Sequence, residues 1–146
     1  MEELSHHYKA QAIAAHDGSV TLESDGLRTI ETAPPREFGG PGNLWSPETM
    51  LAGAVASCFI LTFRAVARAS SLPWVKLICK AEGHLQRSEG AFRFTEFILL
   101  VKLTVPRGTI HEKAARLLEK AEHGCLISNS LRSTMRLEPE VIEMPA

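Results

Sequence analysis

No basic run and no excess of either charge sign occurs in this chain, whose 146 residues carry a formal net charge of −1 at neutral pH. Without a basic patch nothing draws in a polyanion, so nucleic acid and anionic membrane surfaces are not expected partners. The first residues, MEELSHHYKAQ, have acids where an export signal needs bases and lack an apolar core. Export is therefore not expected, and a cytoplasmic location is. Gly39, Gly40 and Gly42 precede a helical pattern as phosphate-binding glycines do, but no glycine-lysine-serine/threonine triplet follows, so no nucleotide site is expected. His6, His7, His111 and His123 lack ligand spacing, so a metal site is not expected. Cysteine is scarce as well, with three in the chain. In a reducing compartment three thiols point to catalysis, metal or packing before a structural disulfide.

Hydrophobic residues make up 45% and charged residues 23% of the chain, the composition of one ordinary globular domain, expected here over residues 1–146. No internal repeat or low-complexity segment interrupts it. His7 to Ala14, Ser19 to Ser24 and Leu27 to Thr32 read as short strands of an N-terminal meander over residues 7–33, with His16-Asp17-Gly18 as its first turn. Residues 34–45 read as a loop, because prolines and glycines between Ala33 and Gly42 deny it both kinds of hydrogen-bond ladder. Ser46 as N-cap, Pro47 in the first helical position and Glu48 in the first turn predict a helix over 46–70.

That helix has no charged residue between Glu48 and Arg64, so it is expected to be central and buried, and its run from Thr49 to Phe63 falls short of a membrane span. Trp74 to Leu85 and Phe92 to Val105 predict two long strands of a hairpin over 74–105, joined through Gln86 to Gly90. Thr109 and Glu112 have the spacing of a capping box ahead of an amphipathic helix over 109–124, closed by Gly124. A turn or short helix from Cys125 and a last strand from Met135 to Ile142 complete the segment 125–143. The class is α+β.

Within the charge-free helix stands Cys58, and Cys125 follows the helix ending at Gly124. A buried thiol is often only a small core residue. Cys79, alternating with Leu77 and Ala81, reads that way. A reactive thiol needs help, because an ordinary one of pKa about 8.5 is only a few per cent ionised at neutral pH. A nearby guanidinium supplies that help, since a cation 4 Å away is worth about 4 kcal/mol at an effective dielectric near 20. Arg36, in the loop ahead of the helix, is the first candidate. Glu48 alone would raise the thiol pKa, so its useful role is to hold the arginine by a bidentate pair. Ten residues separate Glu48 from Cys58, about 15 Å along a helix axis, so the two cannot meet on one straight helix. If Glu48 serves the thiol, two such helices pack antiparallel in a dimer; Ala52, Gly53, Ala56 and Ser57 are small enough to permit it.

Three runs carry a resemblance: Pro35-Arg36-Glu37-Phe38-Gly39-Gly40; Ser46-Pro47-Glu48-Thr49-Met50-Leu51 leading to Ala56-Ser57-Cys58-Phe59; and Ala121-Glu122-His123-Gly124-Cys125-Leu126-Ile127-Ser128-Asn129. Together they resemble the OsmC/Ohr family of osmotically inducible and organic hydroperoxide resistance proteins, over nearly the whole chain. The resemblance implies an OsmC-like fold, an intertwined homodimer with two central antiparallel helices between β-sheets. It implies a thiol peroxidase acting on organic hydroperoxides without haem, flavin or metal. Cys58 matches the peroxidatic cysteine, Cys125 the resolving cysteine, and Glu48 the carboxylate that orients the catalytic arginine. In the Ohr branch that arginine lies in the first hairpin turn, where this chain has His16. In the OsmC branch it lies in the loop before the central helix, where this chain has Arg36, so the chain is more similar to OsmC or OsmC-like proteins.

The expected cycle runs through a Cys58 sulfenic acid and a Cys58–Cys125 disulfide, which a dithiol reduces. Lipoyl-type dithiols are implied by the family alone. Phe38, Trp45, Met50, Phe59 and Ile127 are expected to favour alkyl or lipid hydroperoxides over hydrogen peroxide. The competing reading is a non-enzymatic dimer that binds a small apolar or thiol-reactive ligand at the same place.

Overall fold

A computed structural model describes residues 5–145, and the chain divides into two compact units, one up to Met50 and the other from Leu51.

The first unit holds three short antiparallel strands, β1 (Gln11–Ile13), β2 (Val20–Glu23) and β3 (Ile30–Thr32), in the order β1-β2-β3. Strands β1 and β3 are shorter than the sequence pattern predicts. Leu27 is used in a turn, where its N–H donates to the Ser24 carbonyl at 3.0 Å. The segment expected to be wholly irregular contains a 3-10 turn at Arg36–Phe38. Pro34 and Pro35 precede that turn and do not interrupt it, because the donors it needs are the N–H groups of Phe38 and Gly39. Gly40 must be glycine, since a Cβ there would collide with the Pro34 carbonyl. The loop returns to β3 through a parallel bridge between Thr32 and Trp45 and a 3.0 Å bond from the Ala33 N–H to the Trp45 carbonyl.

Helix α1 (Pro47–Ala69) starts at the end of this unit, where the sequence places it. Ser46 Oγ accepts from the Thr49 N–H at 3.0 Å, and the Ser46 N–H donates to Thr49 Oγ1 at 2.9 Å. The exchange is reciprocal, with threonine in the place usually held by glutamate.

In the second unit α1 faces a three-stranded sheet, β4 (Lys76–Ser88), β5 (Ala91–Val105) and β6 (Thr134–Glu143), in the order β4-β5-β6. Strands β4 and β5 pair antiparallel from Lys76↔Thr104 to Ser88↔Ala91. Their turn is only Glu89-Gly90, both at positive φ, the two-residue hairpin geometry. The strands therefore run further than the five-residue connection expected from the sequence. Strand β6 pairs parallel to β5, which requires a crossover, and α2 (His111–Gly124) with α3 (Leu126–Asn129) provides it. Pro139 lies in β6, an edge strand, where a missing donor costs least.

The core is built from three periodicities. Val55, Phe59, Phe63 and Ala67 recur every four residues on α1, and Ala114, Leu117, Leu118 and Ala121 form one face of α2. Phe97, Leu99, Val101, Leu103 and Val105 alternate along β5. Phe63 meets Trp74 edge-on at 5.4 Å between ring centroids. Helix α1 is not buried all round, as its composition suggested. It is long and apolar enough by length and composition to cross a membrane, yet 22% of its most apolar window is buried within one chain. Leu61 is 56% exposed.

Two helix-end expectations fail for local reasons. The Thr109 hydroxyl donates to the Pro106 carbonyl at 2.7 Å and not to the helix, so α2 starts at His111 with Ile110 at the N-cap position and no side-chain cap. Gly124 is the last helical residue and has no left-handed backbone; the helix ends because Cys125 turns extended, at φ −69° and ψ 114°.

Candidate active site

The second unit brings Cys58, Cys125 and Cys79 into one electrostatic neighbourhood, and all three thiols are free. Cys58 is half-buried on α1, next to the core stripe that holds Phe59. Cys125 is wholly buried at the corner between α2 and α3. Three bonds hold that corner: the Cys125 N–H to the Glu122 carbonyl at 3.3 Å, the Asn129 N–H to the Cys125 carbonyl at 3.0 Å, and Asn129 Nδ2 to the His123 carbonyl at 3.0 Å. Asn129 is thus the residue that fixes the junction.

Burial pushes the Cys58 thiol up and is the largest single influence on it. Hydrogen bonds outweigh burial together: the Ile127 N–H, the Cys125 side chain, the Thr62 hydroxyl and the Leu126 N–H draw the thiol below its ordinary value. Leu126 and Ile127 open α3, where N–H groups have no partner inside the helix and can serve the sulfur instead. A cation was expected to do this work. In the second unit neutral donors do it.

Cys125 behaves oppositely. Burial raises it first, and the neighbouring Cys58 adds to the rise, while the Ser128 hydroxyl and N–H work against both. Ser128 Oγ is buried and has no hydrogen-bond partner within normal limits among the described residues. Cys79, on β4, is pushed up to about 12, by burial first and by Cys125 second.

Arg36 and Glu48 lie in the first unit. Arg36 is exposed, and its guanidinium covers Gly42, where a Cβ would lie 2.5 Å from Nη2. Among the described residues no carboxylate comes within ion-pair distance of Arg36, so it forms no pair with Glu48 inside one chain. Glu48 Oε1 is buried and has no hydrogen-bond partner among the described residues. His16 is exposed in the turn after β1.

Phe59, expected among residues facing a substrate, is fully buried in the core cluster and presents nothing to a ligand. Phe38 and Trp45 are 54% and 56% exposed. Thr62, Ser128 and the N–H groups of Leu126 and Ile127 were not anticipated. Thr62 carried a usable signal, one helical turn after Cys58 and therefore on its face. The N–H donors carried none, since any residue type supplies them. Among the described residues no group of three or more histidine, cysteine or acidic side chains could hold a metal ion.

The profile of the OsmC-like protein family matches residues 40–140. The uncharacterised protein YmaD of Bacillus subtilis is 31% identical over 123 residues, covering 82% of this chain and 81% of that one. The structure of an OsmC-like protein of unknown function from Vibrio cholerae superposes with a TM-score of 0.85 at 19% identity, over 93% of this chain and 100% of that one. An organic hydroperoxide resistance protein OsmC from Legionella pneumophila superposes with a TM-score of 0.75 at 27% identity, over 96% and 99%. With a family match across both cysteines and the α+β architecture shared, the chain belongs to the OsmC/Ohr family of OsmC-like proteins.

Proposed function

We propose that the chain is a thiol-dependent peroxidase that reduces organic hydroperoxides. The carrying observation is the pair of adjacent thiols with opposite shifts, Cys58 lowered and Cys125 raised. Neighbouring groups whose surroundings push them apart divide the labour of a reaction between them. The Cys58 thiolate attacks the terminal peroxide oxygen, the O–O bond breaks, and the alkoxide takes a proton and leaves as the alcohol. Cys58 is then a sulfenic acid. The Cys125 sulfur attacks it, its thiol proton and the hydroxyl leave as water, and a Cys58–Cys125 disulfide remains. A dithiol reduces the disulfide; family resemblance favours a lipoyl-type one. A reducing compartment such as the cytoplasm suits this cycle.

Arg36 and Glu48 enter the reading through a homodimer. Two α1 helices packed antiparallel would put Glu48 near the partner's Cys58, where Arg36 held by Glu48 stabilises the thiolate and the departing oxygen. Two observations support this. Much of the apolar window of α1 is only partly buried in one chain, and among the described residues a buried carboxylate oxygen of Glu48 has no donor. The relative named an organic hydroperoxide resistance protein supports the substrate class.

The test is mass spectrometry after one equivalent of cumene hydroperoxide. A Cys58–Cys125 disulfide is expected, with peroxide consumption lost in Cys58→Ser. If no disulfide forms while cumene hydroperoxide still binds the Cys58→Ser chain, the protein is a ligand-binding dimer and not a peroxidase.

A further inference from the structure

The Thr62 hydroxyl lies between two acceptors on one turn of α1. It donates to the Cys58 carbonyl at 2.7 Å, and the same oxygen is 3.9 Å from Cys58 Sγ. A hydroxyl has one proton, so while it serves the carbonyl the sulfur contact can be made only by the thiol as donor. The carbonyl does not depend on that proton. It also accepts the Thr62 backbone N–H in the ordinary i to i−4 ladder of α1. A thiolate at Cys58 has the greater need, because a charged acceptor makes the stronger and shorter bond. The threonine methyl points at the α2 end, 3.6 Å from where a Cβ on Gly124 would sit. The side chain thus lies between the turn carrying Cys58 and the end of α2 that precedes Cys125, and in this rotamer only the hydroxyl proton must rotate.

We propose that Thr62 is a hydrogen-bond switch for Cys58, its hydroxyl bonded to the helix carbonyl while the sulfur is protonated and turned to the sulfur once that proton has left to water. The proposal deepens the peroxidase reading and rests on it only for the identity of the reactive thiol. Thr62 acts through Cys58 and is a positioning residue. The bland alternative is the back-bond that a mid-helix threonine commonly makes to its i−4 carbonyl, with no effect on the sulfur.

Within the second unit the titratable group facing Cys58 is Cys125, from the α2–α3 corner; Cys79 on β4 acts on Cys125 in turn. The remaining donors to Cys58, the Leu126 and Ile127 N–H groups, do not titrate. Any guanidinium contributed in a dimer acts alike on every Thr62 variant and drops out of a comparison among them.

The test is the pH dependence of Cys58 alkylation by iodoacetamide in the full chain, followed on the Cys58 peptide by mass spectrometry. Thr62→Val keeps the shape and removes the hydroxyl, and its midpoint is expected to rise by about one pH unit. Thr62→Ser restores the hydroxyl and is expected to return to the wild-type midpoint. Should the valine chain fold poorly, Thr62→Ala against Thr62→Ser gives the same contrast. Coincident midpoints in Thr62→Val and wild type, or an equal rise in Thr62→Ser, would overturn the switch. Alkylation needs no peroxide, so a Thr62-dependent midpoint in a chain that consumes no hydroperoxide supports the switch and sinks only the peroxidase reading.

Discussion

Cys58 on α1 and Cys79 on β4 are both half-buried thiols beside the same core, yet one is drawn below its ordinary pKa and the other is pushed up to about 12. Burial raises both, and more strongly at Cys79, the more deeply placed of the two. At Cys58 the donors set the sign. Cys58 faces N–H groups at the start of α3 and the Thr62 hydroxyl, whereas Cys79 faces a sheet interior with another thiol near it. A strand offers a buried sulfur few free donors, because its N–H groups are spent on neighbouring strands. A helix start has donors to spare.

The largest break in this comparison is loss of the reactive sulfur. Cys58→Ser is expected to lower the rate of hydroperoxide consumption by more than about 10³-fold. Cys79→Ser is expected to leave it close to wild type, and equal losses in the two would show that the thiols are not differentiated.

Cys125→Ser sharpens the role of the neighbour. Peroxide should still oxidise Cys58, with no intramolecular disulfide formed. The Cys58 sulfenic acid should be trapped by dimedone, read as a mass increase on the Cys58 peptide.

Cys79 makes a prediction about stability. Its folded pKa of about 12 lies above the ordinary value of 9.0, so above pH 9 the unfolded chain gives up a proton that the folded chain keeps. Its contribution is fully present below pH 9 and lost as pH rises toward 12. Urea midpoints should fall across that window. At about pH 10.5 Cys79→Val should recover roughly 1–2 kcal/mol relative to wild type, after allowance for solvent screening. Parallel alkaline losses in the two chains would remove Cys79 from the account.

Legibility followed the range of the signals. Ser46, Pro47 and Glu48 announced α1 because helix starts are encoded by neighbours in sequence, and the alternation of β4 and β5 announced their faces. Thr109 and Gly124 misled for the same reason. Their residue types suit a capping box and a glycine-closed helix end, but Pro106 offered Thr109 a nearer acceptor, and Cys125 turned the chain without a left-handed residue. The parallel pairing of β6 with β5 joins Thr134 to Glu96, far apart in sequence, and no local pattern carries it. In the candidate site, the two cysteines stand in motifs that the sequence displays. The means of lowering Cys58 was not legible, because backbone N–H groups are common to nearly every residue.

By itself the sequence determined where α1 begins and which faces are apolar, since these depend on side-chain type and short spacing. Only the tertiary structure decided which thiol becomes acidic. That outcome depends on a few donors reaching a sulfur across elements 60 or more residues apart in the chain, and their number outweighs the burial common to all three thiols.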